Sequence, residues 1–139
     1  MPQIAHLFFK TGIIFFIVGI AMGLQMSISG VHDVIGAHAH TNLLGWVSMA
    51  IFGIYYALNP QKAESRSARI HYAGYTLGVA IMVPSLYLLL KGYAGAEPFV
   101  AVSSLLVAAA VVLFAFILFT GERQTTARPM QPPMRPMAH

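Results

Sequence analysis

The chain contains no cysteine. Disulfides, iron–sulfur clusters and thiolate ligation of haem are therefore excluded, which leaves histidine as the donor for any iron or other transition metal. Charge is almost as scarce: Asp, Glu, Lys and Arg make up 9% of the 139 residues, where a soluble domain carries about 25%. Four residues are acidic against eight Lys and Arg, a formal net charge of +4. In a soluble protein that excess would point to an acidic partner. Here the bases fall in the connectors and the tail, where they read as topology signals, and nucleic-acid binding finds no support. What is present instead is 58% hydrophobic residues and a mean hydropathy of +0.71. These values imply an all-α integral membrane protein, a bundle of four transmembrane helices with no soluble domain.

Four apolar stretches, at about 4–26, 38–59, 70–90 and 99–120, are each long enough for a hydrocarbon core of about 30 Å at about 1.5 Å per residue. They define a transmembrane domain over 1–120. Residues 121–139, with four prolines and three arginines, read as a disordered tail. The first stretch could be mistaken for a signal peptide, but it is too long and no Ala-x-Ala-like site follows, so it is expected to be a retained anchor. Gly12, Gly19 and Gly23 fall near one face of it, and Gly74 and Gly78 have small-xxx-small spacing in the third span. Both patterns predict close approach of another helix. Pro84 predicts a kink. The fourth span lacks any titratable residue and is expected to face lipid or pack passively. His6 and Lys10 are expected to snorkel to the interface, and His71, at the head of the third span, to be interfacial and not a ligand. Trp46, Tyr55 and Tyr56 read as packing or interface anchors.

Four spans put both termini and the 61–69 connector on one side, with Lys10, Lys62, Arg66, Arg69, Arg123, Arg128 and Arg135. The other side receives only Lys91. The positive-inside rule then predicts cytoplasmic termini in a bacterial-type inner (plasma) membrane, with His38 and His40 at the outer end of the second span.

His38 and His40 are two residues apart, which on an α-helix turns them roughly 200° from each other. They cannot chelate one ion between them. Each imidazole can instead serve as an axial ligand to iron on its own side. Thr41 and Asn42 follow, placed either to orient the ligating rings or to cap the first amides of the helix.

The run from His38 to Pro60, with His40-Thr41-Asn42-Leu43-Leu44 at its head and Tyr55-Tyr56 near the closing proline, resembles the second transmembrane helix of haem-copper oxidase and nitric oxide reductase catalytic subunits. The resemblance covers about one helix. It implies that His40 ligates a low-spin haem b (protohaem IX). His38 has no counterpart on that helix, although a His-x-His on the family's tenth helix serves two different haems. The family's catalytic subunit has twelve spans in three arcs of four. A four-span chain resembling one arc implies a homotrimer, with haem held between subunits by His40 of one and His38 of the next and with Thr41, Asn42 and Trp46 nearby.

Departures from the family matter as much. No further histidines are placed to hold copper, and Glu64, Glu97 and Glu122 are not placed to complete a non-haem iron site, so a gas-reducing binuclear centre is not expected. Iron with histidine on both faces has no open position, and electron transfer from quinol or a small cytochrome is the natural activity. The arginine pair that holds haem propionates is missing, leaving Lys91 and His32 as the cations on that side. Two rival readings stay open. One is a minimal oxygen or nitric oxide reductase with five-coordinate iron. The other is a non-redox assembly protein or carrier that binds zinc or copper, for which His32 beside Asp33, in three copies about an axis, is a candidate ligand set. Met130, Met134 and Met137 suggest copper more weakly, since the tail reading accounts for them.

Overall fold

Nearly every apolar run of the sequence is helical in a computed structural model that describes residues 1–120. The tail at 121–139, with the expectations placed on it, lies outside the described residues. The elements are α1 (Gln3–Ser29), α2 (Ile35–Leu58), a short α3 (Pro60–Ala63), α4 (Arg66–Leu90) and α5 (Glu97–Phe119), with a 3-10 turn at Ala94–Ala96 before α5. Four helices are long and apolar enough to cross a membrane. Their outward faces are apolar, as at Ile17, Leu105 and Val112, each more than 60% exposed. Such a surface suits hydrocarbon and not water.

Two helices begin earlier than hydropathy alone suggests. At α4 the Ser65 hydroxyl accepts the Ala68 N–H at 3.1 Å and starts the helix before its arginines, which can reach water from the first turns. At α2 the first turn is drawn in by Val34 and Ala37, both fully buried. Thr41 and Asn42 therefore lie past the first turn, and neither caps it. At the other end of the first connector, α1 stops at Gly30, whose φ of 70° lets its N–H bond Met26 O at 2.9 Å. Only glycine adopts that conformation without strain.

The helices form two hairpins, α1 along α2 and α4 along α5, and the hairpins meet mainly through α2 and α4. Glycine sets both seams. A Cβ on Gly19 would lie 2.5 Å from Asn42 Oδ1, one on Gly12 3.3 Å from Met49 Cβ, and one on Gly23 3.1 Å from His38 Cε1. In the second hairpin a Cβ on Gly78 would lie 2.7 Å from Val107 Cγ2 and 3.2 Å from its backbone nitrogen. Facing it, α5 buries Ser103, Val107, Ala110, Phe114 and Ile117, one stripe at alternating steps of four and three. The rest of α5 turns outward. Its last carbonyls, of Ile117 and Leu118, accept from the Lys62 ammonium at 3.0 and 3.4 Å. A base read as a topology signal thus also closes a helix at its negative end.

The middle of α2 is not α-helical: Thr41–Ser48 is a π-helix, with hydrogen bonds one residue longer than in an α-helix. Where such a stretch returns to α spacing, one carbonyl is passed over. Two carbonyls here have side-chain donors, Leu43 from Ser48 Oγ at 2.9 Å and Leu44 from Tyr75 Oη on α4 at 3.1 Å. An unserved carbonyl in this setting would cost about 1–3 kcal/mol.

The seams give a contrast to measure. Gly78→Ala should lower resistance to unfolding in detergent by about 1–3 kcal/mol, because part of the obstruction is backbone. Gly74→Ala, whose Cβ would meet only Ala110 Cβ at 4.0 Å, should be neutral or slightly stabilising. Equal unfolding midpoints for the two variants would contradict the packing described.

Candidate functional site

His38 and His40 occupy the last α-helical turn before the π stretch, and their rings leave the helix in different directions. His38 leans into the α1–α2 seam, half-buried, with Nδ1 2.8 Å from Gly19 O. Its ring has room there because Gly23 carries no side chain. His40 turns outward and is exposed, with Nδ1 2.8 Å from Gly36 O one turn back. A ring nitrogen that faces a carbonyl must carry the proton, so both contacts specify the Nδ1–H tautomer. Each Nε2 is left with its lone pair. Around His40 the outward stripe of α2 is otherwise apolar: Ile35, Leu43, Val47 and Ile51 are all exposed.

The residues expected to support the pair divide. Asn42 stands beside His38: its amide donates to His38 O at 2.9 Å and lies 3.3 Å and 3.5 Å from the two ring nitrogens. Thr41 does not. Its hydroxyl is fully buried, donates to Ala37 O at 2.7 Å and lies 3.8 Å from Met22 Sδ. It fills the α1–α2 seam and touches neither imidazole. Trp46 also belongs to that seam, stacked on Phe16 with ring centroids 5.1 Å apart.

On the connectors at this end, His32 is exposed, with Nδ1 3.2 Å from Gly30 O. Asp33 beside it is engaged elsewhere in the same chain. Its carboxylate accepts from Lys91 at 2.9 Å, tying the α1–α2 connector to the end of α4. Lys91, expected as an available cation, is therefore engaged. The hydrogen bond that it donates to Asp33 holds its ammonium above the ordinary lysine value of 10.5. The tie is thus complete below that value and is lost as pH rises through the raised one. In water such a pair adds little stability. Below the connector, Gln25 on α1 and Tyr87 on α4 pair at 2.9 Å. Among the described residues, no three His, Asp or Glu of a single chain converge on one point.

The opposite half of the bundle holds what the sequence reading missed. His71, expected at the interface, is fully buried. The correction follows from the earlier start of α4, which carries His71 into the second turn and below the arginines. Around it stand Phe8 of α1, Phe52 and Tyr56 of α2, Tyr75 of α4 and Phe114 of α5, with ring centroids 4.6 to 5.9 Å from the imidazole. Its Nδ1 pairs with Tyr56 Oη at 3.0 Å, and its Nε2 has no partner. The spacing Phe52, Tyr56 on α2 with His71, Tyr75 on α4 was the available signal, since each pair is one turn apart on one face.

Compared with family models, with curated proteins and with solved structures, the chain matches none.

The buried pair predicts a non-additive cycle. Tyr56→Phe should cost about 1–3 kcal/mol because it strands His71 Nδ1, whereas Tyr56→Phe with His71→Phe should recover part of that loss. Unfolding midpoints in detergent for the single and double variants test this; strictly additive losses would mean that the two side chains are not coupled.

Proposed function

We propose that the chain is a membrane b-type cytochrome, an electron-transfer protein in which haem b is held between the subunits of a homotrimer by His40 of one subunit and His38 of the next. The observation that carries this reading is the tying of both imidazoles through Nδ1 to backbone carbonyls, at 2.8 Å in each case. Metal-ligating histidines are ordinarily fixed in that way, with the far nitrogen left to bond the metal. His40 fits a ligand that arrives from outside the chain. Its Nε2 lies on an apolar face where an unpartnered imidazole would be costly in hydrocarbon. His38 would use its own Nε2, its ring accommodated in the α1–α2 seam because Gly23 carries no side chain.

With histidine on both faces of the iron, the haem supplies one-electron transfer and no open position for a gas. The protein's own part is to fix the two imidazoles and keep water from them. Gly19 O and Gly36 O hold the ring orientations, and Asn42 braces His38 from the same helix. The basic connector and Lys10 put both termini in the cytoplasm of a bacterial-type inner membrane, and the histidine pair toward its outer face. Quinol or a small cytochrome would deliver the electron there.

Three measurements on purified protein test the reading together. The sample should show a Soret band and a low-spin reduced spectrum that carbon monoxide leaves unchanged, in a particle with the mass of three chains. His38→Ala and His40→Ala should each lose most of the haem, whereas His71→Ala should keep it. Equal haem in all three variants would overturn the ligand assignment. A carbon monoxide shift would instead favour the gas-reducing reading, and a colourless sample with zinc or copper the carrier.

A further inference from the structure

The end of the bundle away from His38 and His40 carries a recess of about 830 Å³ between the first turns of α1, the α3 turn and the first turns of α4. That volume lies in the roughly 300–1,000 Å³ range of ligand-sized clefts. Its lining is of two kinds. Ile4, Leu7 and the ring of Tyr72 form an apolar wall, and Gln3, Glu64 and Arg69 supply polar groups. The Tyr72 hydroxyl is already spent, paired with Thr11 Oγ1 at 2.7 Å inside the bundle, so its ring is what it offers. Lys62, on the same connector, is likewise committed, to the carbonyls of Ile117 and Leu118. Arg69 and Glu64 are exposed, and among the described residues the one ion pair is Lys91 with Asp33. The Arg69 guanidinium and the Glu64 carboxylate thus line the same recess, with Met1 beside them, next to an apolar wall and at the end of four helices long enough to cross a membrane.

We infer that this recess binds an aminophospholipid, with the phosphate at Arg69, the primary ammonium at Glu64 and the upper acyl chain along Ile4, Leu7 and Tyr72. The charge pattern selects this class. A guanidinium meets phosphate oxygens through a fork of N–H donors. A carboxylate beside it would repel a purely anionic headgroup, yet it accepts hydrogen bonds from a primary ammonium. A choline headgroup presents methyl groups in that place and cannot donate. The apolar wall distinguishes a lipid from its soluble headgroup. This inference is independent of any haem and concerns the opposite end of the molecule.

The test uses the full chain in detergent, with dioleoyl phosphatidylethanolamine, phosphatidylcholine or phosphatidylglycerol added in turn and bound lipid counted by native mass spectrometry. The ethanolamine lipid should be retained about five- to tenfold better than either of the others. Arg69→Gln should remove retention of all three, and Arg69→Lys should restore part of it. Glu64→Gln should bring the choline lipid level with the ethanolamine lipid. The unfolding midpoint of each variant, expected to match the parent because both residues are exposed, separates lost binding from lost folding. Equal retention of the three lipids by the parent protein would overturn the inference. So would displacement of the lipid by free phosphoethanolamine at equal concentration, or unchanged retention in Arg69→Gln.

Discussion

One imidazole sits where all four long helices meet. Helices that meet in hydrocarbon gain little by burying more carbon, since the lipid is as apolar as their own side chains, and association rests on close packing and a few polar contacts. His71 concentrates both. All four long helices send an aromatic ring to it or carry it, and Phe114 lies nearly parallel to it at 5.0 Å with 24° between the planes. The Tyr56 hydroxyl supplies the polar contact. Beside this centre, Thr11 with Tyr72, Gln25 with Tyr87 and Tyr75 with the Leu44 carbonyl join the same two hairpins.

The same economy of polar groups explains the two ends of the molecule. Within the spans, hydroxyls and amides return to backbone carbonyls, as Thr41 does to Ala37 and Asn59 to Tyr55. Tyr75 crosses from one hairpin to the other to reach Leu44. The buried His71 Nε2 and Thr76 hydroxyl, which have no partner among the described residues, depart from this pattern, and so does His40. One nitrogen is tied to its own helix and the other faces out of the molecule along an apolar stripe. An imidazole on an apolar stripe has physical sense if something outside the chain completes it, which agrees with the haem proposal.

Much of the architecture could be read from residues alone. The number of spans followed from apolar length, and the seams at Gly12, Gly19, Gly23 and Gly78 followed from spacing, because glycine at helical intervals has few other uses in a span. Asn42 beside His38 was legible as a step of four. His71 was not: read from the start of hydropathy it opens a helix, and only the Ser65 cap, invisible to an apolar average, places it deeper. The engagement of Lys91 with Asp33 joins residues 58 positions apart and has no local signature. Nor does the π stretch, whose wider spacing between Thr41 and Ser48 leaves no mark in an apolar pattern. The expectation that Thr41 would serve a histidine failed for a related reason, because a fully buried hydroxyl on a helix has its own preceding carbonyl within closer reach than any ring.

The wide turn in α2 acts as a phase adjuster. A helix of uniform pitch fixes the angle between any two of its side chains by their separation, at about 100° per residue. By lodging surplus chain between Thr41 and Ser48, this helix uncouples the direction in which its imidazoles look from the direction in which Phe52 and Tyr56 look. Shortening that stretch by one residue would rotate one half against the other by about 100°, so the cage and the histidine pair could not both keep their neighbours. The length of this segment, more than the identity of most residues in it, is therefore the quantity that a working relative of this chain would have to keep.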